Sequence, residues 1–265
     1  MRGTKPGALG GCHAAVTGGG TGIGAACARE LARLGARLTL MGRRRDRLIA
    51  AAARINAECN AETAIEVLDV TDAEAVPRAF AAAVQRSGPV EILINNAGDA
   101  ASAPFVKTSL ALFERLMRVN LTGAFLCTQA VLPAMLAAKR GRIVNIASTA
   151  GLTGYPYVTA YCASKHGLVG LTRALAIEIA KSGVTVNAVC PGYTETDLVE
   201  QAVATITAKT GRSAEAARAS LAATSPMERL VTPDEVAASV GFLCLPSSAS
   251  ITGQALAIAG GAVMP

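Results

Sequence analysis

Two hydrophobic periods alternate along the chain. Short, nearly continuous apolar runs are followed by longer stretches in which apolar residues recur every three or four positions. The first pattern marks buried strands, the second amphipathic helices. Strands are predicted at 12–17, 37–41, 64–68, 90–95, 142–147, 184–189 and 255–259. Helices are predicted at 22–34, 46–59, 73–86, 110–139, 159–181, 202–223 and 233–245. Gly35 is positioned to stop the first helix, and Pro133 should interrupt the long one. Strand–helix alternation implies an α/β architecture: a parallel sheet covered by helices on both faces. The one long departure from the rhythm is 193–229. It follows a strand's carboxyl end, where ligand crevices open in such sheets, and is expected to act as a substrate lid.

Composition narrows this picture. The hydrophobic fraction is 51 % and the charged fraction 17 %, so the chain can bury a large core and disorder is excluded. Aromatic residues make up only 3 %, which leaves Ala, Val, Leu and Ile to fill the core. The net charge is +6, with one local cluster at Arg43, Arg44, Arg45 and Arg47. No aromatics interleave with the cluster, so a phosphate-bearing ligand is favoured over nucleic acid. The seven cysteines form no CxxC pair and are read as free thiols in a reducing compartment. The two histidines, His13 and His166, stand far apart, and no metal site is expected. The amino terminus lacks the apolar segment of a signal peptide, and no apolar run is expected to span a bilayer. A cytoplasmic protein, without membrane attachment, is therefore expected.

Candidate chemistry begins at the first strand–helix junction, Thr17-Gly18-Gly19-Gly20-Thr21-Gly22-Ile23-Gly24. A dinucleotide pyrophosphate sits on a helix amino terminus, where free N–H groups point at it, and glycine lets the backbone approach. Further along come Asn95-Asn96-Ala97-Gly98, then Asn120, Ser148, Tyr161 and Lys165, then Pro191-Gly192 with Thr194 and Thr196. Tyr161 and Lys165 are four apart on one predicted helix and so share a face. A lysine ammonium and an oxidised nicotinamide would both favour phenolate, drawing Tyr161 toward neutral pH.

This series resembles the short-chain dehydrogenase/reductase family over nearly the whole chain. The resemblance implies a single-domain Rossmann fold across 1–265 with a doubly wound, seven-stranded parallel sheet. It implies an NAD(P)-dependent oxidoreductase that interconverts a ketone and a secondary alcohol. Asn120, Ser148, Tyr161 and Lys165 would be catalytic: Tyr161 as acid/base, Ser148 on the substrate oxygen, Lys165 on the nicotinamide ribose, Asn120 ordering a relay water. Gly18, Thr21, Gly22, Ile23, Gly24, Asp69, Val70, Asn96, Ala97, Gly98, Tyr161, Lys165, Pro191, Gly192, Thr194 and Thr196 would line the cofactor. At the end of the second strand, Gly42-Arg43-Arg44 replaces the acid that would bind ribose hydroxyls. Arg43 and Arg44 therefore favour NADP(H), whereas Thr21, where NADP enzymes of the family often carry Arg or Lys, leaves NAD(H) open.

The overall pattern is most similar to reductases and dehydrogenases of 3-oxoacyl and 3-hydroxyacyl thioesters, whose substrate is carried on CoA or a carrier protein. A dehydrogenase of a small hydroxy acid or another secondary alcohol is the alternative, and a non-catalytic dinucleotide sensor a more distant one. Ala150 and Val158 replace the polar residues with which the 3-hydroxybutyrate subgroup reads a carboxylate. A second departure is Ala259, where the family often has Asp before paired glycines. The family also implies a homotetramer, for which the strongly apolar segments 110–139, 159–181 and 233–265 offer surface.

Overall fold

The computed structural model describes residues 7–264. Seven strands form one parallel sheet in the order β3-β2-β1-β4-β5-β6-β7. They are β1 (His13–Thr17), β2 (Arg37–Gly42), β3 (Thr63–Val67), β4 (Ile92–Asn95), β5 (Gly141–Ile146), β6 (Val184–Pro191) and β7 (Ala255–Ile258). Helices α1 (Gly22–Arg33), α2 (Arg45–Cys59) and α9 (Pro233–Cys244) bury their apolar sides with Val16, Leu38, Leu40 and Ile94 on one face. Helices α3 (Ala75–Ser87), α5 (Gly123–Ala137) and α6 (Thr159–Glu178) contribute to the core on the other, around Leu93, Ile143 and Val186. This is the expected doubly wound Rossmann sheet. Strand order reverses between β1 and β4, and the crevice at such a reversal is where open α/β sheets bind ligands.

Two helical expectations are corrected. Segment 110–139 is not broken at Pro133, which lies inside α5 on its exposed side, where the carbonyl it leaves without a donor can face water. The irregularity comes earlier: α4 (Leu110–Met117) passes into α5 through a π-helical turn, Arg118–Thr122. Segment 202–223 is two helices, α7 (Asp197–Thr210) and α8 (Ala214–Ala222), parted at Gly211 in a left-handed conformation (φ 70°). They bury Val199, Val203, Ala217, Leu221 and Leu230 in a small cluster of their own.

The stretch Leu110–Ala137, with mean hydropathy 1.4, is long and apolar enough, by length and composition alone, to cross a membrane, although no uninterrupted apolar run does so. The average tolerates Asn120, Thr128 and Gln129, which break any purely apolar run. In the fold, Cys127, Val131 and Met135 pack into the sheet core.

A buried polar chain ties the sheet to these helices. Asn95 donates to Asn145 Oδ1 (2.9 Å) and to Thr128 Oγ1 (3.0 Å). Asn145 donates to Thr172 Oγ1 (2.8 Å), which donates to the Leu168 carbonyl (2.8 Å). His13 is structural, as anticipated: Nδ1 bonds the Gly88 carbonyl and Nε2 pairs with the Thr39 hydroxyl, while burial lowers its pKa. Replacing Thr172, which is fully buried, by Val removes the acceptor for Asn145. Urea denaturation should show a loss of about 1–3 kcal/mol, the cost of orphaning a buried donor; a change below about 0.5 kcal/mol would mean that water replaces the hydroxyl.

Candidate active site

The site grows from a join between the carboxyl ends of β1 and β4. The Thr17 hydroxyl accepts from the main-chain N–H groups of Asn96 and Ala97, both at 3.0 Å, and donates to the Ile94 carbonyl. In return, Asn96 Nδ2 donates to the carbonyls of Thr17 (3.0 Å) and Gly18 (3.2 Å). Gly24 is required here because a Cβ would collide with the Gly18 carbonyl and Asn96 Nδ2. Gly18 turns the chain at φ 63°. Thr21 caps α1 in extended conformation with no side-chain bond to the helix, and the first turn holds no acid. The N–H groups around Ile23 and Gly24 therefore face an open, anion-favouring cradle, as a dinucleotide requires.

The walls of the cradle come from separate elements. Thr196 lies over the α1 amino terminus, 3.2 Å (Cγ2) from where a Cβ on Gly22 would be. It bonds the Thr194 carbonyl, and Thr194 bonds the Gly192 carbonyl, so the loop after Pro191 is internally braced. At the end of β2, Gly42 is followed by the exposed Arg43 and Arg44. Asp69 Oδ1 accepts from the Thr71 N–H and hydroxyl. Burial raises the Asp69 pKa, but the Thr71 bonds and the Arg43 charge outweigh it and hold the carboxyl low. Val70 packs under α5, where a Cβ on Gly123 would touch it at 2.6 Å.

Asn120, Ser148, Tyr161 and Lys165 converge beside this cradle. Ser148 follows β5 and opens a short 3-10 turn, its Oγ accepting from Ala150 N–H at 3.1 Å. Tyr161 and Lys165 sit one turn apart at the start of α6, with Nζ 5.8 Å from the ring centroid. Lys165 is 5 % exposed, and its Nζ donates to the Ile146 carbonyl at 2.8 Å. Asn120 lies in the π turn. Its Oδ1 accepts from Asp99 N–H (2.9 Å), and its Nδ2 donates to the Asp99 carbonyl (2.9 Å) and Ser164 Oγ (3.0 Å). The Asn120 side chain is thus spent on the loop after Gly98. Two residues, Ser164 and Asp99 (which pairs with Arg115), did not emerge from the sequence, and neither did the locking role of Thr17; only the adjacency of Asp99 to Gly98 and of Ser164 to Lys165 hinted at the first two.

Burial sets the electrostatics of the Tyr161–Lys165 pair in the protein alone. Burial pushes the Tyr161 pKa up to about 12, with the Ser148 hydroxyl opposing the rise. Burial also pulls Lys165 down to about 8. In the protein alone burial dominates, and the lysine does not bring the phenol toward neutrality. Tyr161 is held in its neutral form.

Beyond these four residues, Thr149, Tyr155, Tyr193, Leu221, Ser225 and Arg229 line a narrow crevice beside the end of α8. Arg229 is paired with Glu235 at 2.6 Å. Ala259 leads into Gly260 and Gly261, both at positive φ, and Ser225 Oγ bonds the Gly260 carbonyl at 3.1 Å. Ala150 is buried and Val158 half-buried. Among the described residues no group of three His, Cys, Asp or Glu is placed to hold a metal.

Residues 12–207 match the family described as short chain dehydrogenase. The chain belongs to the short-chain dehydrogenase family. It is 43 % identical over 250 residues to "Granaticin polyketide synthase putative ketoacyl reductase 1" of Streptomyces violaceoruber, covering 94 % of this chain and 92 % of that protein. It is 35 % identical over 253 residues to the 3-oxoacyl-[acyl-carrier-protein] reductase of Synechocystis sp., covering 95 % and 96 %. The crystal structure of a variant of actinorhodin polyketide ketoreductase with NADPH superposes with a TM-score of 0.92 at 38 % identity, covering 97 % of this chain and 99 % of that one. As a member of this family the protein is an NAD(P)-dependent oxidoreductase.

The buried ammonium yields a pH prediction. The Lys165 pKa is about 8 when folded, against an ordinary 10.5. Below pH 8 the lysine is charged in both states and its burial costs stability in full. Between pH 8 and 10.5 the unfolded chain binds more protons, so wild-type stability rises with pH. Lys165→Met should therefore be more stable than wild type at pH 7, by up to about 3 kcal/mol. The difference should shrink as pH approaches 10.5. Denaturation curves at pH 7 and 10 test this, and a constant difference would mean that the ammonium is solvated.

Proposed function

We propose that this short-chain dehydrogenase reduces the ketone of a 3-oxoacyl thioester, carried on CoA or a carrier protein, to the secondary alcohol at the expense of NADPH. The observation that carries the reading is the convergence of Ser148, Tyr161 and Lys165 beside a glycine cradle that accepts a dinucleotide. The names of its relatives, a ketoacyl reductase and a 3-oxoacyl-carrier-protein reductase among them, support the thioester.

NADPH, when bound, supplies the hydride that adds to the ketone carbon. Gly18, Thr21, Gly22, Ile23 and Gly24 would hold its pyrophosphate, and Asp69, Val70 and the Asn96–Gly98 loop would contact the rest of the dinucleotide. Pro191, Gly192, Thr194 and Thr196 close over it. Tyr161 Oη gives its proton to the developing alkoxide, and Ser148 Oγ steadies the same oxygen by a hydrogen bond. Lys165 Nζ, with a pKa of about 8, stores a proton close to working pH and steadies the tyrosine that must be reprotonated. Asn120 fixes the loop after Gly98; since its side chain is fully engaged, any bond to a relay water falls to its main-chain carbonyl.

The segment 193–229 acts as the lid over the thioester, since α7 and α8 carry their own small core above the crevice. The protein is cytoplasmic and works as a homotetramer. Exposed Phe125 and Leu136 on α5, Ile177 on α6, and Phe242 and Leu256 near the carboxyl end support the assembly. No nucleic acid or membrane is part of this reading.

Tyr161→Phe should abolish turnover while cofactor affinity stays within about twofold. Ser148→Ala should lower kcat by roughly 10²–10³, the usual cost of an oxyanion donor. Steady-state kinetics with a 3-oxoacyl-CoA check both, and an unchanged kcat in Tyr161→Phe would overturn the mechanism.

Arg43 should make NADPH bind about ten- to a hundredfold more tightly than NADH, as a charge-assisted bond to the 2′-phosphate contributes roughly 1.5–3 kcal/mol. A Cβ at Gly42 would meet Leu48 Cδ2 at an ordinary 3.6 Å, so an Asp fits there. Gly42→Asp with Arg43→Ala should reverse the order. Fluorescence titrations with both reduced cofactors read this directly; equal affinities in the wild type would assign NAD(H) to the site.

A further inference from the structure

At the amino ends of the central strands, on the side of the sheet away from the glycine turn, lies a cavity of about 430 Å³. Its charged lining is Glu91, Lys139, Arg140 and Arg142, three cations against one carboxylate. Cys12 and the apolar Leu9, Ile92 and Pro246 complete the walls. The single carboxylate is already engaged, since Glu91 pairs with Arg140 at 3.4 Å. Arg140 Nη2 also donates to Cys12 Sγ at 2.9 Å.

Arg142 has no such partner. Among the described residues, its guanidinium donates only to the main-chain carbonyls of Gly141 (2.9 Å) and Gly183 (3.4 Å), and its Nε is buried with no acceptor. A half-buried guanidinium beside a second guanidinium, with an orphaned donor and no carboxylate, is an arrangement the protein does not compensate for itself. Burial pulls the Arg142 pKa down, and the Arg140 charge adds to the effect. The segment 1–6 carries Arg2 and Lys5 and no acid, so it cannot supply the missing charge.

We propose that this cavity is a second binding site, taking a small oxyanion, a carboxylate or a phosphate, seated on Arg142. A planar fork of N–H groups pairs with such a group bidentately, and an anion between Arg140 and Arg142 removes their mutual repulsion. The volume falls in the range of small-ligand sites, and the apolar wall suits a short-chain acid as well as a free ion. The site is independent of the catalytic crevice. Arg142 stands at the start of β5 and Ser148 just beyond its end, roughly 20 Å away at about 3.3 Å per residue.

The test is isothermal calorimetry at constant ionic strength, with the reduced cofactor at saturation so that the glycine turn is occupied. Sodium phosphate and sodium butyrate are the two probes. One of them should saturate at one per chain, which identifies the anion class. Arg142→Gln should weaken that binding at least about tenfold, a charge-assisted bond's worth. Glu91→Gln should tighten it severalfold, because it removes the only carboxylate in the lining; a merely structural role would not produce opposite signs. If Arg142→Gln does not fold, Glu91→Gln decides alone. Absence of saturable binding by either probe, or affinity in Glu91→Gln that is unchanged or weaker, would overturn the proposal.

Discussion

The contact on which the site depends is the join between Thr17 and Asn96. Parallel strands present their carboxyl ends together, yet nothing in a parallel ladder dictates how the loops beyond those ends are held. Here one hydroxyl accepts two main-chain N–H groups from the β4 loop, and one amide returns two bonds to the β1 loop. That lock leaves no room for a side chain at Gly24. The lock sets the direction of α1, and with it the direction of its unpaired N–H groups. The β4 loop it fixes runs on to Asp99, which holds Asn120.

Burial governs the chemistry on the other side of the crevice. The phenol and the ammonium both lose water, and each shifts toward its neutral form, upward for Tyr161 and downward for Lys165. On the proposed reading the pair spans the direction in which a reductase must move a proton: Tyr161 as the donor, and Lys165 as a group that recharges near neutral pH. The Ile146 carbonyl aims the ammonium, so the end of β5 supplies both the aim of Lys165 and, two residues later, Ser148.

Much of this was legible in the sequence because strand and helix periods are local properties. All seven strands were found within about two residues, and the parallel order follows from their alternation with helices. The motifs proposed to line the site are short and keep fixed spacing, and they fall after strand ends, at the first turn of α1, in the π turn and at the start of α6. What escaped was decided by tertiary contact. Pro133 reads as a break, but its exposed position lets the helix continue. The π turn has no composition that distinguishes it from α-helix. The split between α7 and α8 rests on one left-handed glycine among many glycines. Asp99 and Ser164 matter only because Asn120 bonds them, a relation across 21 and 44 residues. The rise in the Tyr161 pKa comes from the packing around its hydroxyl, which spacing does not reveal.

The π turn at Arg118–Thr122 holds one residue more than regular α-helix requires. Each residue turns a helix by about 100°. Losing any single residue there would restore a regular spiral and swing one half of the Leu110–Ala137 rod against the other. Val131 and Met135 would then rotate out of the sheet's core, or Asn120 would turn away from Asp99 and Ser164. The count of residues in this stretch is therefore as much a part of the proposed site as their identity. Exchanges of side chain along its outer surface leave the phase intact, whereas a one-codon deletion anywhere within it forces a choice between the core and the site.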